Sequence, residues 1–173
     1  MEKVLLIKRL TKNAIYLALL CAVGMFAIPL GDNIKVSLQL LIVFIIGLTA
    51  TSFVDTLIVT GLYLGLGMFL PIYAGFHAGI SPTFGYVISF VVISLPLYFL
   101  NKLKIKNDFL RMGLACSVSL IICYVIGTLF LMLYLNLSIE KALLISVVPY
   151  IPFDIAKIII ATLVVNLLPS KYR

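Results

Sequence analysis

"RMGLACSVSLIICYVIGTLFLMLYL" (residues 111–135) carries one charge, at its first position, and nothing ionisable as strong acid or base after it. A helix of this length, at about 1.5 Å of rise per residue, clears the roughly 30 Å hydrocarbon core of a bilayer. That stretch sets the solvent of the whole chain, because the remaining sequence is of the same kind. The 173 residues are 64% hydrophobic and 11% charged, with a mean hydropathy of +1.26, whereas a soluble domain is about half apolar. An integral membrane protein is expected.

Outward from 111–135, five further apolar windows fall at 13–28, 36–50, 53–70, 82–100 and 149–168. Each approaches the length of a membrane helix, the second being short and its boundary with the third, around "TATSF", the least defined. With an even number of spans both termini share a side. Lys3, Lys8, Arg9, Lys12, Lys102, Lys104, Lys106, Arg111, Lys171 and Arg173 all fall on that side, against Lys35 and Lys141 opposite. Lys and Arg gather at the cytoplasmic face. The expectation is an all-α integral membrane protein with six transmembrane helices and both termini cytoplasmic. It forms one domain over residues 1–173, with a cytoplasmic segment at 1–12 and a cytoplasmic tail at 169–173. The basic lead and apolar run at the N-terminus are read as a first membrane helix rather than a cleaved signal, because many spans follow.

The formal charge of +7 is spread between apolar runs with no continuous basic stripe, so it fits the membrane surface rather than nucleic acid. Cys21, Cys116 and Cys123 lie inside apolar runs at no metal-ligand spacing, and are read as packing residues. No phosphate-binding loop, H-E-x-x-H or G-x-S-x-G occurs, so no catalytic residue, metal or cofactor is assigned.

What polar chemistry remains gathers at the outer ends of the windows. In "VVPYIPFDIAKIII" (147–160), Asp154 and Lys157 stand at i and i+3 on one helical face. An ionisable group costs about 2.5 to 3.5 kcal/mol on insertion scales, which makes a functional role the default. Pro152 and Asp154 also suit a helix start, so a capped, charge-balanced first turn is the competing reading. A carboxylate accepts and an ammonium donates, so a ligand with adjacent N–H and C=O groups would satisfy both. Tyr150, Phe153, Tyr73, Phe76, Phe84 and Tyr86 are candidates for its apolar wall, or for core and interfacial belt. Gln39, His77 and Thr83 complete the candidate set at the same level. On the first helix, Ala14, Ala18 and Ala22 recur at i, i+4 and i+8, a stripe that admits another helix, from a partner or from this chain. Asp55 is read as an interfacial residue.

Taken in order, these residues resemble the BioY family, the biotin-specific substrate-binding components of energy-coupling factor (ECF) transporters. The likeness runs through the Ala14/Ala18 helix, "IPLGDNIKVSLQ", "GLYLGLGMFLPIYAG", "SPTFGYVISF" and "PFDIAK". It implies a multi-pass protein of a prokaryotic plasma membrane that captures biotin from outside. It further implies a membrane coupling protein docked on the first-helix stripe, and two cytosolic ATPases that supply the energy. Asp154 and Lys157 match the family's polar binding residues. Phe76, Phe84 and Phe153 stand where smaller residues are usual, which keeps a related apolar acid such as lipoate as the alternative ligand. A small membrane enzyme or assembly protein is the third reading, for which the chain has few titratable residues.

Overall fold

The computed structural model describes residues 2–29 and 35–169; residue 1, the 30–34 connection and residues 170–173, with Lys171 and Arg173, lie outside the described residues. Helices α1 (Glu2–Gly24), α2 (Gln39–Thr49), α3 (Phe53–Gly67), α4 (Phe84–Leu100), α5 (Asp108–Leu135), α6 (Ile139–Ser146) and α7 (Ile151–Leu167) carry the fold. Between α1 and α2 an antiparallel hairpin pairs β1 (Ala27–Pro29) with β2 (Lys35–Ser37).

Each of the six windows holds a helix, with three departures. Helix α1 begins at Glu2 and runs unbroken through the basic lead, because residues 2–12 are good helix formers without a breaker. It stops at Gly24, and Ala27 and Ile28 belong to a strand instead. The third departure is α6, absent from the sequence reading, which bends by 52° into α7. By length and composition, among the described residues, α5 alone is long and apolar enough to cross a membrane, the bent α6–α7 pair reaches that length and hydropathy only when taken together, and α2, α3 and α4 are shorter apolar helices.

Helix α2, shorter than every other helix but α6, is the core. It is apolar on every face, and a helix without a polar side is stable only when surrounded. Gln39, Leu40, Ile42, Val43, Phe44, Ile46, Gly47, Leu48 and Thr49 are all buried, with α7, α4, α1 and α3 packed around them.

One end of the bundle is tied by polar residues. Arg9 donates to both oxygens of Asp55 (3.0 and 3.1 Å), Asn13 donates to Asp55 Oδ1 (3.0 Å), and the Ser52 backbone N–H donates to Oδ2 (3.1 Å). Asp55 is therefore buried and clamped rather than merely interfacial. Lys12 donates to the Thr49 carbonyl, Asn101 to the Leu48 carbonyl, and Arg111 to Asn101 Oδ1. These bonds gather the start of α1, the end of α2, the start of α3, the end of α4 and the start of α5. This is the end rich in Lys and Arg.

Helices α4 and α5 approach through reciprocal glycines. Gly85 receives Phe130, and Gly127 receives Tyr86; a methyl group at either would overlap the opposing side chain. Gly113, on the same α5, has nothing within 4 Å of such a methyl. Gly127→Ala should therefore cost about 1 to 3 kcal/mol by overpacking, whereas Gly113→Ala should be neutral or stabilising by roughly 0.4 to 1 kcal/mol. Thermal unfolding of the two variants in one detergent checks this contrast.

Candidate functional site

The site forms where α7 crosses the middle of α5. Pro152 occupies the first turn of α7, where its missing N–H breaks no helical bond. Two and five residues later, Asp154 and Lys157 turn inward and are 3% and 7% exposed. Lys157 Nζ donates to Asp154 Oδ1 at 2.7 Å. From α5, the Tyr124 hydroxyl donates to Asp154 Oδ2 at 2.6 Å. Each carboxylate oxygen thus holds one donor and keeps a further lone-pair site. Among the described residues the ammonium spends one of its three N–H groups on the pair, and Tyr124 retains its acceptor capacity.

Tyr124 lies about 16 Å of helix rise before the end of α5 at Leu135. Asp154 is therefore deep in the bundle rather than at its rim. The sequence reading placed the pair at the outer edge because it began the last span at residue 149. In the structure a further helix, α6, precedes α7 and is bent from it by 52°.

Beside the pair, an apolar cleft of about 230 Å³ opens between the hairpin and α7. Ile28, Val36 and Leu38 line one wall, and Phe153, Ala156, Lys157 and Ile160 the other. Lys157 belongs to both the ion pair and the cleft, so it joins the polar and apolar parts. On the α4 side the Tyr86 hydroxyl donates to the Ser146 carbonyl (3.2 Å) and lies 3.4 Å from Thr128 Oγ1, while Ser89 donates to Cys123 Sγ (3.0 Å).

The other sequence candidates occupy different surroundings. Gln39 is buried and donates to the Tyr63 hydroxyl, which donates in turn to the Ile72 carbonyl; it ties α2 to α3 and to the following loop. Tyr73 is buried against Gly67, donates to the Leu64 carbonyl (2.6 Å) and packs on Tyr63 and Phe84. Burial pushes its hydroxyl up to about 12. Phe84 continues that aromatic ladder onto Phe130. Phe76 is exposed, with φ of 60°, and stands edge-on to Phe26. His77 is exposed, and its backbone pairs with that of Tyr73. Thr83 is exposed, 3.2 Å from Ser81 at the entry of α4. Tyr150 is half-buried and its carbonyl accepts from the Asp154 N–H (2.9 Å). Of the three bulky residues expected to narrow one pocket, only Phe153 lines the cleft. Tyr124 and the hairpin residues were missed; a hydroxyl-bearing ring mid-span, which needs a partner when buried, was the available signal.

Ala14, Ala18 and Ala22 are all exposed on α1. The residues that tie α1 to the bundle, Arg9, Lys12, Asn13 and Tyr16, occupy another face, Tyr16 meeting the Thr49 hydroxyl at 2.7 Å.

Residues 1–173 match the BioY family. The chain belongs to the BioY family. It is 31% identical over 162 residues to the biotin transporter BioY of Thermotoga maritima, covering 91% of this chain and 93% of that relative. The biotin transporter BioY2 of Lactococcus lactis is likewise 31% identical, over 89% of this chain and 86% of the relative. Among solved structures, the S-component for biotin from an ECF-type ABC transporter superposes with a TM-score of 0.85 at 25% identity, covering 96% of this chain and 93% of that one. This BioY-family chain thus shares the helical fold of an S-component over nearly its whole length.

Proposed function

We propose that this chain is the substrate-binding component of an ECF-type vitamin importer and that it captures biotin. The family, and relatives named as transporters along nearly the full chain, make it a transport component and not an enzyme. The observation that carries the ligand is the arrangement of Tyr124, Asp154 and Lys157 beside an apolar cleft. A ureido ring offers N–H groups to the carboxylate and a carbonyl to the ammonium. An alkyl chain suits the cleft between Phe153, Ile28 and Val36. Lipoate gains nothing from the bulky residues, since Phe84 packs on Phe130 and Phe76 on Phe26, and its dithiolane ring has no N–H for Asp154.

Six spans follow when α6 and α7 count as one bent crossing after α1 to α5. The end tied by Arg9, Asp55, Lys12, Asn101 and Arg111 is the cytoplasmic one, by the rule that Lys and Arg accumulate there. Both termini are then cytoplasmic, the chain is a single domain of a prokaryotic plasma membrane, and the hairpin and the 71–83 loop face outside. Ala14, Ala18 and Ala22 face a membrane coupling protein, and two cytosolic ATPases drive uptake.

Titrating the purified full-length chain with biotin, dethiobiotin and lipoate tests the ligand. Biotin and dethiobiotin should bind and lipoate should not. Asp154→Asn should weaken both ureido ligands by about tenfold or more, the scale of one hydrogen bond to a charged group. Preference for lipoate, or indifference of every ligand to Asp154→Asn, refutes the assignment.

A further inference from the structure

Asp154 and Lys157 pose a problem for the reading just given, on which this inference rests. Two opposite charges on adjacent turns of one buried helix face satisfy each other. A carboxylate's terminal torsion is broad, with little preference between orientations. Left to itself, Asp154 can turn both oxygens toward the ammonium and withdraw its acceptors from any ligand. The same turn would occupy the N–H groups that a ligand carbonyl needs.

The Tyr124 hydroxyl opposes that collapse. It comes from α5, a different and much longer helix than the one bearing the pair, and it holds Oδ2 at 2.6 Å while Lys157 holds Oδ1 at 2.7 Å. With one donor on each oxygen, from two helices packed against each other, the carboxylate plane is fixed. Its remaining lone pairs keep a constant direction, and Lys157 remains a single-bond partner with N–H groups to spare. We propose that Tyr124 is a positioning residue for ligand recognition: its hydroxyl fixes the Asp154 carboxylate so that the acid–ammonium pair stays open to a ligand bearing adjacent N–H and C=O groups. The selectivity for such ligands then depends on a residue of α5 as well as on α7.

A double-mutant cycle on the full-length chain tests this, with biotin affinity read by titration and the ligand-free thermal midpoint read separately. Tyr124→Phe keeps the ring and removes only the hydroxyl. It should weaken biotin about tenfold. In an Asp154→Asn background the same change should make almost no further difference, since a residue acting through Asp154 has nothing left to position. Coupled groups show this kind of non-additivity, whereas independent ones add. An N-methylated biotin, lacking one ureido N–H, gives the second readout: wild type should discriminate against it more strongly than Tyr124→Phe does. Unchanged biotin affinity in Tyr124→Phe overturns the proposal, and so does an equal loss in both backgrounds, which marks a purely structural role. Failure of the ligand reading is seen elsewhere, as absence of biotin binding by the wild-type chain.

Discussion

Ala18→Trp should abolish biotin uptake by cells carrying the proposed partner proteins and leave the biotin affinity of the purified chain unchanged. The two halves of that result have separate causes. Ala14, Ala18 and Ala22 are exposed along α1, so an indole there meets lipid or a partner and displaces nothing inside the bundle. The proposed ligand residues lie on α5 and α7, and α1 is held by other residues: Arg9 and Asn13 on Asp55, Lys12 on the Thr49 carbonyl, Tyr16 on the Thr49 hydroxyl. Those bonds fix the rotation of α1 and keep the stripe turned outward. Close helix approach in a membrane depends on small residues, because packing replaces the hydrophobic force that lipid removes. A large ring at the middle of the stripe should hold a partner helix several ångströms away, and Ala14→Trp should act similarly. Uptake of labelled biotin by cells carrying the partner proteins, compared with titration of the purified variant, separates the outcomes. Loss of binding along with uptake would assign the stripe to internal packing, and full uptake would assign it to lipid.

How far the fold could be read from sequence depended on whether the information was local. The apolar windows gave the helices, since a run such as 111–135 can satisfy its backbone in lipid only as a helix. The spacing of Asp154 and Lys157 gave the ion pair, a contact made within one turn. Helix α6 was lost because Ser138, Glu140 and Lys141 resemble a loop, although they form a polar first turn before Ala142 and Leu143. Overlooking it placed the pair at the rim. The reading of Asp55 was incomplete because its partner Arg9 lies 46 positions away. Phe84 and Tyr73 stand near the candidate loop in sequence, yet Phe130 and Tyr63, from α5 and α3, draw them into an aromatic ladder. Tyr124 is the same case at the candidate site: its hydroxyl marks only the need for a partner when buried, and the packing of α5 on α7 makes that partner Asp154.

Lys157→Met should destabilise the chain by about 3 to 5 kcal/mol, the cost of leaving one member of a buried pair without its partner. Among the described residues the Asp154 carboxylate, 3% exposed, would then keep only Tyr124, with no ammonium against it. For a chain of this size, that loss corresponds to a fall in thermal midpoint on the order of 10 °C. Adding Asp154→Asn to Lys157→Met removes the stranded charge, and buried pairs replaced as a unit are often neutral in stability. The double variant should therefore recover most of the lost midpoint. Its affinity for biotin should stay as low as that of either single variant, because neither the acceptor nor the donor of the site has been restored. This contrast separates the two roles the pair can have. A pair that only balances the α7 start predicts recovery of stability and binding together. A pair that meets the ligand predicts recovery of stability alone, and a double variant that binds biotin like wild type would remove Asp154 and Lys157 from the site.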